Sequence, residues 1–347
     1  MFADLIEKLR RREDLRRDQA EAVMDSVMRG EAGAAPLAAL LVALSMKGER
    51  SEELAGFASA MRRHAVDPRI DASEFGTLLD TCGTGGDRAG TFNISTAAAI
   101  VAAACGVAVV KHGNRSISSR CGSADVLEAL GVEPAAPPDR ARKCLASSGL
   151  AFLFAPTFHP AMRHAAAVRR ELGVPTAFNL LGPLSNPAAP TRQVVGVPRP
   201  ELTELLARTF LLLGAERIWV VHGTDGLDEL STSGHTKVSE AIRKSPEDPG
   251  RVRTFYLHPS DLGIATAPRE RLLGGEATEN AEIIRRVIEG EIGPARDIVA
   301  LNAAAALLVA DKVETLREGL ERAAFAIDRG AARETLDRFV AASRGEA

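Results

Sequence analysis

The sequence predicts an α/β protein whose amino-terminal part is all helix. Two observations carry that reading. Residues 1–64 place apolar side chains at three- and four-residue spacing and give no strand signal. From Thr77 onward, short apolar strands alternate with glycine turns and helices, the grammar of a sheet with helices on its faces. The chain has 347 residues, 46% hydrophobic and 26% charged, enough for a large core and two domains.

The amino-terminal segment Met1-Phe2-Ala3-Asp4 is charged and amphipathic and lacks the h-region and cleavage site of a secretory signal. Lys8, Arg10, Arg11, Arg12, Arg16 and Arg17 are interleaved with Glu7, Glu13, Asp14 and Asp18, as on a solvated helix face. Helices are predicted over residues 15–28, 36–46 and 51–63, with Ser51 as N-cap before the acidic pair Glu52 and Glu53. So short a segment cannot bury its own apolar faces. It is expected to pack on the rest of the chain or on a second copy.

Strands are predicted over residues 78–81, 107–111, 152–154, 193–197, 217–222 and 252–257. A helix over 125–130 has Asp125 and Glu128 in the spacing of a capping box and is closed by Gly131. Further helices are expected over 139–148, 160–172, 200–213, 277–289, 295–310 and 315–340. Pro134, Pro137 and Pro138 mark one exposed connection, and residues 182–187 mark another. The longest apolar run, residues 97–110, has 14 residues and contains Gly106. A membrane span needs about 20, so the run is read as buried helix, turn and strand, and no membrane partner is expected.

The net charge of −3 suggests no partner chosen by bulk charge, nucleic acid included. Cys82, Cys105, Cys121 and Cys144 show no C-x-x-C spacing and fit reduced thiols of a cytoplasmic protein. Cys82 and Cys121 flank loop glycines, where they either pack as small residues or react.

Six segments within one short stretch suit a phosphorylated sugar. They are Gly83-Thr84-Gly85-Gly86-Asp87, Thr91-Phe92-Asn93-Ile94-Ser95-Thr96, Lys111-His112-Gly113-Asn114-Arg115, Ser118-Ser119, Gly122-Ser123 and Asp125. A glycine turn exposes backbone N–H groups to an anion. Ser95 and Thr96 precede an apolar helix, whose N-terminus favours negative charge. Lys111 and Arg115 bring cations. Asp87 either bonds a sugar hydroxyl or metal, or closes its own turn.

Asp228 and Glu229 follow the strongest strand of the second half, on a loop placed at the sheet's carboxyl edge. Two adjacent carboxylates there suit Mg²⁺, with Ser95 as a further oxygen ligand, or else form a solvated acidic turn. Arg169 and Arg170 share a predicted helix, and only one of them can face a substrate carboxylate. His112 is a base or a pocket-lining residue, and Asn114 offers a donor and an acceptor for an amine beside a carboxylate. No GxSxG, HExxH, zinc spacing, Walker A or GxGxxG pattern is present.

The run GTGGD, TFNIST, KHGNR, SS and GSADVLEALG resembles the anthranilate phosphoribosyltransferase family of tryptophan biosynthesis. FHPAMRHAAAVRRELGVPTAFNLLGPLSNP, VHGTDGLDELS, LVALSMKGERSEELAGFASAMR and RDIVALNAAAAL extend the resemblance over nearly the whole chain. It implies transfer of phosphoribose from 5-phosphoribosyl 1-pyrophosphate to the amine of anthranilate. It implies a helical domain over 1–73, joined by helices from about 165–190, and an α/β domain over 74–347 with a mixed, mostly parallel sheet. Gly83, Gly86, Asp87, Thr91, Asn93, Ser95, Thr96, Lys111, Ser119 and Ser123 would bind the diphosphate sugar. Gly83, His112, Asn114 and Arg169 would receive anthranilate. Ser95, Asp228 and Glu229 would hold Mg²⁺, about two ions per subunit. A homodimer through the helical domain is implied. Cys121 departs from the serine of many relatives, at nearly the same size.

Two rival readings remain distinct. A pyrimidine-nucleoside phosphorylase shares the architecture, but the KHGNR and DGLDE segments fit it poorly. A nucleic-acid-binding relative would have a basic groove and would lack the Asp228-Glu229 pair.

Overall fold

The computed structural model describes residues 1–87, 89–116 and 120–346. Four helices open the chain: α1 (Phe2–Arg10), α2 (Arg17–Met28), α3 (Ala34–Lys47) and α4 (Ser51–Arg63). Ser51 is the first helical residue of α4 and not its cap. The cap position is Arg50, whose amide donates to Glu53 Oε2 at 2.8 Å. Glu53 Oε1 also accepts from the Leu15 amide at 2.8 Å, so this buried carboxylate ties α4 to the turn before α2.

A one-turn helix α5 (Ala72–Phe75) leads into β1 (Leu78–Gly83). The apolar run then divides as expected into helix α6 (Ile94–Ala104) and strand β2 (Ala108–Gly113). Next come α7 (Ser123–Ala129), α8 (Pro138–Ser148), β3 (Leu150–Phe154), the short α9 (Ala155–Phe158), α10 (Arg163–Leu172) and α11 (Phe178–Leu184). Helix α7 begins two residues before the expected start. Asp125 is its third residue and accepts from the Gly122 amide at 2.9 Å, so Asp125 closes the box and Glu128 has no part in it. Residues 182–187 are not an exposed connection: Pro183, Leu184, Ser185 and Asn186 are buried. Asn186 Nδ2 donates to Asp80 Oδ2 and to the Val110 carbonyl, both at 2.8 Å, which pins this turn beneath the sheet.

The second half contains β4 (Arg192–Gly196), α12 (Leu202–Leu212), β5 (Arg217–Gly223), β6 (Thr236–Ile242) and β7 (Arg251–Leu257). Helices α13 (Ala277–Ile288), α14 (Pro294–Val309), α15 (Leu316–Asp328) and α16 (Ala331–Arg344) close the chain. The single helix expected over 315–340 is two, broken at Gly330 with φ 75°. Strand β6 gives no clear apolar signal in sequence, because it carries Lys237, Ser239 and Glu240. Glu240 is nevertheless buried: it accepts from Trp219 Nε1 at 3.0 Å and pairs with Arg217 and Arg253.

The sheet order is β3-β2-β1-β4-β5-β6-β7. The first five strands are parallel, and β6 and β7 are antiparallel. Helices α6, α14, α15 and α16 pack one face into the largest apolar cluster. The opposite face joins α12 to the helical region in a second cluster. That cluster also takes in Ala165 and Val168 of α10 and Phe178, Leu181 and Leu184 of α11.

Candidate active site

The chain runs from β1 outward through β2 and β3, then returns to lay β4 on the other side of β1. The reversal leaves a crevice at the carboxyl ends of β1 and β4, the place where open α/β sheets bind ligands. Gly83 and Gly196 are paired there at the two strand ends. The acidic loop after β5 lies directly over them. A Cβ on Gly196 would sit 1.5 Å from the Asp228 carbonyl oxygen, and one on Gly83 would sit 2.7 Å from Asp228 Oδ2. At Gly196 the obstacle is backbone, so only glycine there lets the loop close this far; at Gly83 it is the tip of the Asp228 side chain. Beyond Gly83, Gly85 and Gly86 have φ of 69° and 89°, a left-handed turn that glycine adopts freely.

Glu229 Oε1 accepts from the Ser95 amide at 3.1 Å, which joins the loop to the first turn of α6. Lys111 is buried within β2, two residues before its end. Its Nζ donates to the Thr81 carbonyl and to Ser95 Oγ, the latter at 3.4 Å. Thr81 Oγ1 donates in turn to the Ser95 carbonyl at 3.2 Å. Asp87 closes its own turn through the Ala89 amide at 3.2 Å, and its charge also acts on Asp228. Burial, and then the Asp87 charge, pushes the Asp228 carboxyl up; burial and Asp228 do the same to Glu229. The acidic pair is therefore short of positive charge, with Lys111 the cation that partly offsets it at Glu229.

This donor set suits Mg²⁺: two carboxylates and a hydroxyl, all hard oxygens. Among the described residues no group of three or more His, Cys, Asp or Glu side chains is arranged to hold a metal.

Thr96 Oγ1 is buried with no partner among the described residues. Thr91 bridges to Leu273. Asn93 Nδ2 donates to the Cys121 carbonyl at 3.2 Å and its Oδ1 accepts from Asn280 Nδ2 at 3.0 Å, so much of its capacity serves the fold. Ser123 Oγ donates to the Asn114 carbonyl at 3.3 Å. Ser118 and Ser119 lie outside the described residues. Arg115, expected to bring a free cation, is committed to Asp125 and Glu128 at 2.9 and 2.6 Å.

Two of the residues expected to receive the acceptor, His112 and Asn114, lie at and just after the end of β2. His112 Nδ1–H donates to the Gly182 carbonyl at 3.1 Å, which leaves the buried Nε2 without a partner among the described residues. Burial, with His159 and nearby cations, lowers its pKa to about 3, so the ring is neutral. Asn114 Oδ1 accepts from the Arg115 amide at 2.8 Å. Of the adjacent arginines, Arg170 is exposed, and Arg169 is half-buried with its Cζ 5.2 Å from the centre of the Phe178 ring. Burial lowers the Arg169 pKa, and no carboxylate offsets it among the described residues.

Both site thiols are inert. Burial raises Cys121 to about 11 and also pushes the Cys82 thiol well up, so neither is a thiolate near neutral pH.

Two supporting residues escaped sequence reasoning. Asp80 is buried within β1, accepts from the His112 amide at 3.3 Å and braces the β2 terminus. A lone carboxylate in the strand Leu78-Leu79-Asp80-Thr81 was the available signal. Gly196 had the weaker signal of a glycine closing an apolar strand.

Residues 76–333 match the model of the glycosyl transferase family a/b domain, and residues 3–65 match that of its helical bundle domain. A curated relative from Moorella thermoacetica, an anthranilate phosphoribosyltransferase, is 52% identical over 323 residues, covering 93% of each chain. This chain belongs to the anthranilate phosphoribosyltransferase family. The family member of known structure from Thermus thermophilus superposes with a TM-score of 0.90 at 46% identity, covering 98% of this chain and 99% of that one. The family member from Saccharomyces cerevisiae, solved in complex with PRPP and Mg, gives a TM-score of 0.87 at 27% identity, covering 99% of this chain and 98% of that one.

Proposed function

We propose that the chain transfers the phosphoribosyl group of 5-phosphoribosyl 1-pyrophosphate to the amine of anthranilate. The products are N-(5-phosphoribosyl)anthranilate and pyrophosphate, the second step of tryptophan biosynthesis from chorismate. The observation that carries the reading is the joining of Glu229, Ser95 and Lys111 at the β1/β4 crevice. A metal-binding acidic loop, a helix N-terminus and a buried lysine then converge on one anion.

The diphosphate sugar takes the backbone of Gly83 and Gly86, the N-terminus of α6 with Ser95 and Thr96, and Lys111, with Asp87, Thr91, Asn93, Ser119 and Ser123 around it. Breaking the C1–O bond builds positive charge on the sugar and negative charge on the departing pyrophosphate. Mg²⁺, about two ions per subunit held by Ser95, Asp228 and Glu229, would supply counter-charge to that leaving group. Lys111 and the positive dipole end of α6 stabilise the same charge from fixed positions.

On the other side, Arg169 takes the anthranilate carboxylate, and Asn114 and Gly83 line its approach. An aromatic amine is uncharged near pH 7 and needs no strong base. Neutral His112 is too weakly basic to serve as one; its unpartnered Nε2 accepts a hydrogen bond from the amine and orients it.

The domain division is read as 1–73 with 165–190, and 74–347. The protein pairs as a homodimer through the helical domain. Support comes from α3, which carries one charged residue in 14 and leaves Val42 and Met46 36% and 76% exposed. The cytoplasm is the proposed location. The four cysteines form no disulfide, which fits its reducing poise, and among the described residues no helix is long and apolar enough to cross a membrane.

The decisive experiment mixes the pure protein with anthranilate, Mg²⁺ and 5-phosphoribosyl 1-pyrophosphate and follows anthranilate fluorescence. Loss that requires both Mg²⁺ and the diphosphate sugar is expected. No loss at micromolar enzyme overturns the assignment.

A further inference from the structure

Two adjacent arginines end α4 and do different things. Arg63 faces outward and is paired with Glu21 and Asp25. Arg62 is half-buried between α4 and α11, where its Nε donates to the Leu184 carbonyl at 2.8 Å. Among the described residues no carboxylate lies within ion-pair distance of Arg62, and that neutral carbonyl is its one hydrogen-bond partner. Burial alone moves its pKa, down to about 10.

A desolvated cation that meets only a neutral carbonyl is costly. Elsewhere the helical region avoids that cost: buried Glu53 is paired with Lys47 at 3.1 Å and bonded to two amides. The position of Arg62 gives the exception a use. Leu184 lies two residues beyond Gly182, whose carbonyl takes the His112 Nδ1–H. Arg62 is also among the charges that act on the His112 ring. At the opposite end of the same short helix, Arg169 rests over Phe178, again with no carboxylate partner among the described residues. Helix α11 spans about 10 Å at 1.5 Å per residue. Two unneutralised guanidinium groups thus bracket the wall that His112 leans on.

We propose that Arg62 supplies a second positive charge to the acceptor pocket and so biases it toward acceptors that carry a carboxylate. This rests on the reading of His112 and Arg169 as the acceptor side. Arg169 makes the direct contact. Arg62 acts across the α11 wall as a positioning and selecting residue, and its field favours the aminobenzoate anion over a neutral aromatic amine of the same shape.

The test compares wild type, Arg62→Lys and Arg62→Gln by steady-state kinetics and thermal melting, with 2-aminobenzamide as a neutral competitor of anthranilate. Lysine keeps the charge but cannot reproduce the planar Nε contact with Leu184. Expected for Arg62→Gln is an anthranilate KM raised about tenfold, with the KM for the diphosphate sugar and the inhibition constant of 2-aminobenzamide within about twofold. Arg62→Lys restores most of the anthranilate KM. Equal weakening of anthranilate and 2-aminobenzamide in both variants, with equally lowered Tm, would make Arg62 a mere strap for α11 and overturn the proposal. An unchanged anthranilate KM in Arg62→Gln overturns it too. Arg62→Met carries the same comparison should the glutamine variant not fold. Failure of the transferase reading is visible separately, as absence of turnover in wild type.

Discussion

Glu229 and Ser95, 134 residues apart, are joined by a hydrogen bond of 3.1 Å from the Ser95 amide to Glu229 Oε1. The bond ties the acidic loop, proposed to hold the metal, to the N-terminus of α6, proposed to hold the anion. Replacing the acidic pair by Asp228→Asn with Glu229→Gln removes charge but little volume. It is expected to abolish the Mg²⁺-dependent part of the rate, a loss of about a hundredfold or more. Initial rates across a Mg²⁺ titration measure it; unchanged metal dependence rejects these ligands.

Gly196 tests the close approach of the loop. Its Cβ would overlap the Asp228 carbonyl at 1.5 Å, which is backbone and cannot rotate aside. Gly196→Ala must displace the loop, and a shift of about 1 Å costs on the order of a hundredfold in rate. Circular dichroism should show a folded protein with kcat lost. Wild-type kcat would mean that the loop has slack the structure does not show.

Arg169→Ala is expected to raise the anthranilate KM while leaving that of the diphosphate sugar nearly unchanged. A charge-assisted contact worth roughly 1.5–3 kcal/mol corresponds to about tenfold to a hundredfold. Equal effects on both substrates would remove Arg169 from the acceptor side.

Acid should destabilise the protein through its buried histidines. Burial lowers His112 to about 3 and His159 to about 4, so both are neutral in the fold. The unfolded chain protonates them below about pH 6.5. Between that pH and about 4 the unfolded state binds more protons, so stability falls as pH falls through this window. Asp80, raised to about 6 by burial, has the opposite sign and regains stability on acidification below that pH. Melting curves from pH 7 to 4 should therefore show a shallower fall in Tm for His112→Gln and a steeper one for Asp80→Asn. Parallel curves for all three proteins would count against these assignments.

The exposed side of α3 predicts the assembly. Val42→Glu with Met46→Glu places charge on the apolar face without touching the crevice. Sedimentation should show a dimer for wild type and a monomer for the variant. A monomeric wild type would reject the helical-domain pairing.

The segments proposed to bind phosphate stood out in the sequence because phosphate binding uses local devices. Glycines that free backbone amides, hydroxyls at a helix start and a lysine near a strand end each announce themselves within a few residues. What escaped depended on partners distant in the chain. Strand β6 looked too polar until Arg217, Arg253 and Trp219 gathered around Glu240. Residues 182–187 looked like an exposed turn until Asn186 bonded Asp80 beneath the sheet. Arg115 looked like a free cation until Asp125 and Glu128 claimed it.

By itself the sequence determined most of the element types, the candidate anion-binding segments and the family resemblance, since periodicity, turn chemistry and motif order are properties of neighbouring residues. Only the tertiary structure decided which arginine of the Arg169–Arg170 pair turns inward, which tautomer His112 keeps, and that Asp228 rests on Gly83 and Gly196. Those outcomes depend on burial and on contacts between segments distant in the chain, where desolvation and excluded volume set the result and local sequence carries no record of them.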